Sequence, residues 1–325
     1  MFRNKLNYWR RIFKVYLTKT PSYLNFWHEE PVVTSDITPE KLGKYYMTFA
    51  DKTAYKGPKD KDGVILFDYH SNIGIQYNPV AIAQYGLGHI NQYLKTGDAQ
   101  NLKEAKIQAD WLIRNLEENE KGIPVWKHNF EWHYKKLLQP GWYSALSQGS
   151  GISLLVRIYK ETNEEKYLET AKEAFRALNT DVEKGGVKFV DDEGNVWVEE
   201  YIIHPPTHIL NGFLWTIWGI WDLYLVTGEK ASKSLFEACV ETLKKNLHRY
   251  NANYWSLYDL SKQKMKMLAS PFYHKLHITQ LEAAYKLTGE DIFKKYQELF
   301  QKYQKSWFKR KKALIYKAIF KVIYF

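Results

Sequence analysis

The densest group of side chains suited to proton transfer lies within residues 197–212. It contains two neighbouring carboxylates, a tyrosine and two histidines, namely Glu199, Glu200, Tyr201, His204 and His208. A carboxylate serves as a general base, or as a general acid when burial raises its pKa, and tyrosine or histidine can handle the second proton. The plainer interpretation is a solvated hairpin whose glutamates face water, which would be preferred for an arbitrary Glu-Glu-Tyr.

A rigid elbow is expected to hold these groups in place. The alternation and β-branched residues within 196–203 predict a short strand. Two prolines at 205–206 lack backbone donors and disfavour helix before them. Thr207 is placed to cap a helix that begins near Ile209. Loops held between rigid elements in this way often carry binding and catalytic residues.

Four histidines, His204, His208, His274 and His277, raise the question of a metal site. No zinc-type His-Glu-x-x-His pattern accompanies them. Polar histidines in loops are more common than metal ligands. The sequence therefore predicts no catalytic metal and no cofactor.

A four-fold repeat forms the scaffold. The same turn, Thr followed by Gly or Asn and then an acidic residue, recurs at 96–98, 162–164, 227–229 and 288–290, at intervals of 61 to 66 residues. Gly or Asn after a helix gives the left-handed stop, and an acidic residue suits the start of the next helix. Apolar helices are predicted before the turns and more charged helices after them, as the pairs 85–93 and 99–117, 152–159 and 165–178, 213–224 and 231–247, and 278–285 and 291–305.

A period of this size indicates stacked or circular repeats. Apolar helices rich in Trp and Tyr, joined by long loops with Gly, Pro and strand-like pieces, favour a mainly α fold. The prediction is an incomplete α/α toroid of four helical hairpins, with short β-hairpins in the loops and, by analogy, a carbohydrate site where those loops gather. Residues 75–305 form this domain, residues 1–74 a basic helix and a wrapping arm, and residues 306–325 a basic amphipathic helix.

The composition sets further bounds. Twelve Trp and 25 Tyr suit a sugar-binding cleft, although many aromatic side chains also fill a helical core. The single cysteine, Cys239, excludes an internal disulfide and fits a reducing compartment, so a cytoplasmic location is expected. This cysteine lies in a helical apolar pattern and is interpreted as a buried residue, not a nucleophile.

The formal charge of +11 is concentrated at the two ends. Residues 1–19 and 302–325 hold 14 of the 47 basic residues and no acidic ones. A nucleic-acid partner is not expected, because such a protein would spread basic charge over its folded surface. Both ends also place apolar residues at helical spacing, in runs too short and interrupted to span a bilayer, and no secretory signal is recognised. Each terminal helix is expected either to bind the inner face of an anionic membrane or to pack on the body of the protein. The two interpretations are equally supported for the N-terminal helix, whereas membrane binding is favoured for the C-terminal helix.

Several loop motifs resemble those of the D-glucuronyl C5-epimerases. They follow in the same order over roughly residues 75–305, as Tyr-Asn-Pro at 77–79, Pro-Gly-Trp-Tyr-Ser-Ala at 140–145, Glu-Glu-Tyr at 199–201, Leu-Asn-Gly-Phe at 210–213, Tyr-Asp-Leu at 258–260 and Tyr-His at 273–274. Members of that family invert C5 of glucuronate in heparosan-like polymers to give iduronate. Their helical domain is an α/α toroid, and they are commonly dimers. The resemblance implies an isomerase with an acidic polysaccharide substrate, and a homodimer.

By resemblance, Glu200 and Tyr273 match the pair proposed to act on opposite faces of the sugar ring. Tyr201 and Tyr258 match supporting active-site tyrosines. Which member of the pair faces the hydrogen of glucuronate stays open.

Removal of H5 from a uronate creates a carbanion beside a carboxylate, so the site must neutralise that carboxylate and stabilise the new charge. The substrate-binding candidates are Trp142, Tyr143, Asn211, His274, Lys275 and His277. Among them, Asn211, His274 and Lys275 are candidates to hold the carboxylate. The aromatic pair at 142–143 is a candidate to stack on a sugar, with packing of the toroid as an equally supported role.

Two departures from the family pattern bear on specificity. Animal members carry a large β-rich region ahead of the helical domain, where only residues 1–74 are available here. They also have an arginine three positions after the tyrosine of the Tyr-Asp-Leu motif, where this chain has Ser261. A contact to a carboxylate or sulfate of the substrate is thus lost or moved, so the identity of the polymer substrate stays open.

Three other functions are consistent with parts of the pattern. A polysaccharide lyase also abstracts H5 but then expels the C4 substituent. A glycoside hydrolase needs two carboxylates flanking the bond, and Glu199 and Glu200 would point to opposite sides of a strand. A non-catalytic, membrane-bound polysaccharide-binding scaffold would bind the polymer without hydrogen exchange.

Overall fold

The computed structural model of this protein describes residues 26–69 and 72–324 and is mainly helical. Its helices are α1 (Pro79–Thr96), α2 (Ala99–Arg114), α3 (Ala145–Thr162), α4 (Glu165–Asn179), α5 (Leu210–Thr227), α6 (Lys230–Asn246), α7 (Pro271–Thr288), α8 (Asp291–Lys305) and α9 (Trp307–Tyr324). The basic helix predicted near the N-terminus falls within residues 1–25, outside the described ranges. Among the described helices, none is long and apolar enough to cross a membrane.

Each repeated turn ends one helix and starts the next. The residue after the first helix of each pair, Gly97, Asn163, Gly228 or Gly289, has a left-handed backbone with φ between 55° and 73°. Its N–H donates to the carbonyl of the tyrosine four residues earlier. The preceding threonine hydroxyl accepts from the N–H of the acidic residue that follows, at 3.2–3.3 Å. This explains the recurrence of Thr-Gly/Asn-acid in the sequence.

The predicted α/α toroid of four helical hairpins is confirmed. The first helices of the pairs, α1, α3, α5 and α7, form an inner layer in which each packs against the next. Their partners α2, α4, α6 and α8 lie outside and bury one face only. Burial of an apolar stripe on an inner layer is the usual reason for this division between apolar and amphipathic helices. Cys239 is buried in α6, as expected.

The arm formed by residues 26–69 lies partly across the inner layer. Between residues 31 and 45 its backbone forms hydrogen bonds, in chain order, with the side chains of Thr279 on α7, Trp221 on α5, Arg157 on α3 and Asn91 on α1. The side chains of Tyr45, Tyr46, Met47 and Phe49 are buried, and those of Tyr45 and Met47 are almost fully inaccessible. The arm therefore connects all four inner helices, and its rings at Tyr45 and Phe49 pack on Trp215 of α5.

The closest helix approach is between α3 and α5. A Cβ added at Gly219 would lie 2.1 Å from the carbonyl oxygen of Gly149, and one at Gly149 would lie 2.6 Å from the Cα of Thr216. Both distances are far below van der Waals contact. Glycine at these two positions therefore sets the spacing of these two helices.

A buried ion pair joins the same two helices to the arm. Arg157 on α3 donates to both oxygens of Asp222 on α5, at 2.6 and 3.1 Å. Ser153 and the arm residue Tyr46 donate to the same carboxylate at 2.6 and 2.8 Å. The guanidinium also donates to the carbonyl of Gly43. Because every partner is hydrogen-bonded, the cost of burying the two charges is offset.

We expect Asp222→Ala to lower the free energy of unfolding by about 3–5 kcal/mol, because it leaves the Arg157 guanidinium buried without its counter-ion. Urea denaturation followed by tryptophan fluorescence measures the change. The matched control is Asp192→Ala, which removes an exposed carboxylate and should change stability by about 0.5 kcal/mol or less. A loss below about 1 kcal/mol for Asp222→Ala would contradict this role for the pair.

Short antiparallel strands lie before the first hairpin and in the first two loops between hairpins. They are β1 (Phe67–Asp68), β2 (Ile75–Gln76), β3 (Leu116–Glu118), β4 (Pro124–His128), β5 (Trp132–His133), β6 (Leu137–Leu138), β7 (Trp142–Tyr143), β8 (Lys188–Val190) and β9 (Val196–Val198). Their pairs are β1–β2, β3–β4, β4–β7, β5–β6 and β8–β9.

The predicted elbow differs from the structure in detail. The strand ends at Val198 and does not continue through residue 203. Ile209 stands at the cap position of α5, and Thr207 makes no capping bond. The N–H of Leu210 instead donates to the carbonyl of Tyr258 in a neighbouring loop, which satisfies one of the free donors at the start of the helix.

Candidate active site

The candidate site lies at the end of the toroid opposite the four repeated turns. The turns follow the C-termini of the inner helices, whereas a cavity of about 230 Å³ is lined by residues from their N-termini. Asn78 caps α1, Ser144 caps α3, Asn211 lies in the first turn of α5 and Tyr273 in the first turn of α7. Helix N-termini that converge on one cavity create a positive potential, which favours an anionic ligand.

Glu200 has the environment most suited to acid–base chemistry. It lies just after β9, is only 7% exposed, and its Oε2 atom has no hydrogen-bond partner among the described residues. Burial raises its pKa to about 8, although hydrogen bonding with Tyr201 acts in the opposite direction. A carboxyl group that titrates near neutral pH is suited to both accept and donate a proton under physiological conditions.

The position of this carboxyl group depends on Gly212 in the first turn of α5. A Cβ at this position would lie 2.1 Å from Oε2 of Glu200 and 3.0 Å from its Cβ. The Leu-Asn-Gly-Phe motif thus provides space for the carboxyl group beside the helix N-terminus.

Tyrosines surround Glu200. Tyr201 stacks on Tyr134 with ring centroids 4.5 Å apart, and Tyr258 meets Tyr273 edge to face at 5.0 Å. Burial, followed by the charge of Glu200, raises the pKa of Tyr201 and of Tyr258 well above the usual value. Both phenols therefore stay protonated and act as hydrogen-bond donors at neutral pH. The structure brings the four predicted catalytic residues together, three on the cavity wall and Tyr258 behind Tyr273.

Two of the predicted binding residues also line the cavity. Asn211 is buried, and its Oδ1 atom has no hydrogen-bond partner in the described part of the chain. Trp142 stacks on His128 with centroids 3.8 Å apart and donates to the carbonyl of Phe130. Trp142 therefore packs on a neighbouring ring and also lines the cavity, and its stacking on a sugar stays a prediction.

Tyr143 does not line the cavity. It follows Trp142 on β7, and successive strand residues point to opposite faces. Its hydroxyl donates to the carbonyl of Gly185 at 3.0 Å, which places it between loops.

Three predicted binding residues of α7 also lie outside the cavity. His274 and His277 are buried on the far side of the helix, where Nδ1 of each lies within 3.0 Å of Ser256 Oγ. Lys275 forms a partly exposed ion pair with Glu30 of the arm. The cavity side of this helix is formed by Phe272, Tyr273 and Leu276. At about 100° per residue, His274 and Lys275 point away from that side, and His277, one turn after Tyr273, lies at its edge and is held by Ser256.

Glu199 has a structural role distinct from that of Glu200. Its carboxylate contacts Nδ1 of His208 at 2.5 Å and accepts from the backbone N–H of the same residue at 3.1 Å. The histidine ring in turn stacks on Trp197. Glu199 thus binds His208, whereas Glu200 lines the cavity. Over residues 26–69 and 72–324, no group of three or more His, Cys, Asp or Glu is placed to hold a metal ion.

The arm contributes cavity residues that the sequence did not indicate. Lys52 is the only lysine or arginine among the described lining residues, and burial lowers its pKa to about 8. Its Nζ lies 3.7 Å from Oε2 of Glu29, another lining residue. Burial lowers the pKa of the lining residue His28 to about 4, which keeps it neutral. No local pattern links the arm to the distant inner helices, so this contribution lacked a sequence signal.

A second missed group did have a signal. His128, Phe130 and Trp132 alternate along an extended segment, and all three line the cavity. Burial lowers the pKa of His128 to about 3, so this ring is also neutral. The alternation of aromatic residues after Pro124 would have been sufficient to propose a wall with one face toward the site.

The departure at Ser261 is accompanied by a nearby lysine. Lys135 contacts Ser261 Oγ and lies 2.8 Å from Oδ2 of Asp259, which also accepts from the hydroxyl of Tyr134 at 2.5 Å. The Lys135 ammonium, from another loop, therefore lies beside Ser261, the serine that replaces the arginine of the family pattern.

The fold and the cavity together define an α/α-toroid protein with a carboxyl–tyrosine site at the N-terminal ends of its inner helices. The alignment with the solved structure of a D-mannose isomerase covers 77% of this chain and 66% of the isomerase chain, with a TM-score of 0.52 and 11% identity. A cellobiose 2-epimerase from Bacillus thermoamylovorans covers 86% of this chain and 67% of its own, with a TM-score of 0.52 and 15% identity. At these identities, the likeness shows the fold.

The chain belongs to the D-glucuronyl C5-epimerase C-terminal family, whose model matches residues 119–302. A D-glucuronyl C5-epimerase of Caenorhabditis elegans is 34% identical over 205 residues, which cover 58% of this chain and 32% of the nematode protein. An uncharacterised protein of Methanocaldococcus jannaschii is 30% identical over 241 residues, covering 69% of this chain and 76% of its own. The chain thus spans about a third of the length of the nematode relative.

Proposed function

We propose that this protein is an isomerase that inverts C5 of glucuronyl residues within an acidic, heparosan-like polysaccharide. The observation that carries the proposal is the buried carboxyl group of Glu200, with its raised pKa, in the same cavity as Tyr273. Membership of the epimerase family supports the reaction class. A homodimer and a cytoplasmic location stay predictions.

The reaction requires two proton transfers on opposite faces of the sugar ring. In the proposed cycle the Glu200 carboxylate takes H5, and the electron pair of the broken C–H bond delocalises into the adjacent carboxyl group. The hydroxyl of Tyr273 then gives its proton to C5 from the other face, and the roles exchange in the reverse direction. Exchange with water restores the protonation of both side chains before the next turnover.

The uronate carboxyl group must be neutralised while negative charge develops on it. Three groups around the cavity are available for this purpose: the helix N-termini, the Lys52 ammonium, and the side-chain amide of Asn211, whose Oδ1 atom has no hydrogen-bond partner among the described residues. An amide presents either its oxygen or its NH₂, so Asn211 can turn its donors toward a carboxylate. Such preorganised donors often provide the largest share of stabilisation for a charged intermediate.

The rate should depend on pH through Glu200. Because burial places its pKa at about 8, the carboxyl group of the free protein is mostly protonated below that pH and becomes a base above it. We therefore expect kcat/KM for glucuronate to rise with pH toward about 8 and to fall above it, where the Lys52 ammonium, whose pKa is also about 8, is lost. A profile that is flat, or that falls, as pH increases toward about 8 would contradict Glu200 as the base on the glucuronate side.

Gly212→Ala should slow the reaction about 10²-fold, since a displacement of the carboxyl group by about 1 Å has an effect of that size. The matched control is Gly43→Ala, because among the described residues, apart from its chain neighbours, no atom lies within 4 Å of a Cβ added at Gly43. Initial rates on the polymer measure both variants. Near wild-type activity for Gly212→Ala would show that the position of Glu200 is not critical.

The proposed reaction is tested by incubation of heparosan with the purified protein and analysis of its uronic acids. Iduronate should appear while the chain length stays constant. Unsaturated chain ends would instead identify a lyase, and tight binding with no change in the polymer would identify a non-catalytic scaffold. Sulfated and N-deacetylated forms of the polymer, assayed in parallel, define the specificity.

A further inference from the structure

Helix α9 packs on the body through its less apolar face. Only Ala313 and Phe320 are buried along its length, and Lys317 lies on the same face, where its Nζ donates to the carbonyl of Leu268 at 2.7 Å. The opposite face carries exposed apolar side chains, namely Trp307, Phe308, Leu314, Ile315, Ile319, Val322 and Ile323. A helix on a globular protein normally buries its apolar stripe and exposes its lysines.

The exposed stripe is too large to be an ordinary surface feature. Phe308 is 79% exposed and Val322 is 70% exposed, whereas the neighbouring outer helix α8 buries its aromatic residues on the body. Contiguous apolar residues on one helix face indicate a partner or a membrane, because isolated exposure of single residues is what a monomer surface normally shows.

The charge around the stripe indicates the chemistry of that partner. Four consecutive basic residues, Lys309, Arg310, Lys311 and Lys312, lie in the first turns of α9. Cations at a helix N-terminus oppose the helix dipole, so this arrangement is unfavourable without a nearby anion. From residue 299 to the end of the chain there is no acidic residue. The apolar face and the basic cluster thus have no acidic counterpart in this segment.

A cleft beside α9 combines both properties. It has a volume of about 250 Å³, and its apolar wall is formed by Trp255, Ala269, Pro271, Trp307, Ala313 and Leu314. The same cleft is lined by Arg310, Lys311 and Lys317. An apolar cleft with several cations fits an amphiphile that joins an acyl chain to an anionic headgroup.

We infer that α9 and this cleft form a docking surface for a bilayer of anionic phospholipids. The helix lies in the interface, with the stripe among the acyl chains and the basic cluster at the headgroups. The basic residues near such a surface are attracted by its negative potential. A second copy of the chain is a poorer occupant, because pairing two α9 faces brings like charges together.

The test is co-sedimentation of the full-length protein with vesicles of phosphatidylcholine alone or mixed with phosphatidylglycerol. Binding should require phosphatidylglycerol and weaken as salt is added. Ile315→Asp/Ile319→Asp and Lys311→Glu/Lys312→Glu should each reduce bound protein at least about ten-fold, the first by removing apolar insertion and the second by reversing charge. The charge-matched control Lys103→Glu/Lys230→Glu, on exposed parts of α2 and α6, should bind like the wild type.

All substituted positions are exposed, so thermal unfolding and activity on soluble polymer should be unchanged. Failure of the wild type to bind anionic vesicles would overturn the inference. So would a lipid-independent dimer, seen by sedimentation velocity, that the Ile315→Asp/Ile319→Asp variant abolishes, because a second copy would then cover the stripe.

Discussion

Glu200→Gln should lower the rate of C5 hydrogen exchange about 10²–10⁴-fold, the range expected for loss of a general acid or base. The substitution keeps the shape of the side chain, so binding of the polymer should persist. It also removes a buried ionisable group. Because the raised pKa of Glu200 means that its ionisation opposes folding, the native state of the wild type loses stability as pH rises from about 4.5, the unperturbed pKa, toward about 8. The variant should escape that loss and be at least as stable as the wild type at alkaline pH.

The matched control for this variant is Glu131→Gln. Glu131 is exposed between the lining residues Phe130 and Trp132, so this change removes one carboxylate near the cavity without altering its wall. Exchange near the wild-type rate in Glu200→Gln would remove this residue from the mechanism. An equal loss in the control would indicate a general electrostatic effect.

Tyr273→Phe should also lower the rate of epimerisation about 10²–10⁴-fold, because it removes the hydroxyl that serves the second face of the ring. The ring itself remains, and with it the edge-to-face contact to Tyr258 and the contact to Phe272. The fold should therefore be retained, and the loss should fall on kcat more than on KM.

A second tyrosine on the same helix is the control for this variant. Tyr285→Phe, in the last turn of α7, removes a hydroxyl at the end of the toroid that faces away from the cavity. It should react like the wild type. A Tyr273→Phe variant with full activity would require a different donor, and Tyr201 would then be the first residue to test.

The scaffold was predictable because it depends on local patterns that repeat. Each Thr-Gly/Asn-acid turn specifies a left-handed stop, and four copies at a regular interval require four hairpins. The catalytic candidates were predictable from motif resemblance, and their side chains share the cavity region because three of them are attached to the loop before α5 or the start of α7.

The remaining site residues depend on directions and contacts that a motif does not specify. Tyr273, His274 and Lys275 are adjacent in sequence, but the helix that begins at Pro271 directs only the first of them to the cavity. Lys52 reaches the site because the arm crosses the inner helices, a contact between segments far apart in the chain. Its position follows from tertiary packing, which local propensity does not encode.

Incubation of heparosan in D₂O with the wild-type protein, followed by NMR of the polymer, tests whether this site epimerises C5. The proposed mechanism predicts deuterium at C5 of both glucuronate and iduronate, no unsaturated chain ends, and loss of both signals with Glu200→Gln. Absence of deuterium at C5, or its incorporation together with unsaturated ends, would contradict C5-epimerisation by this site.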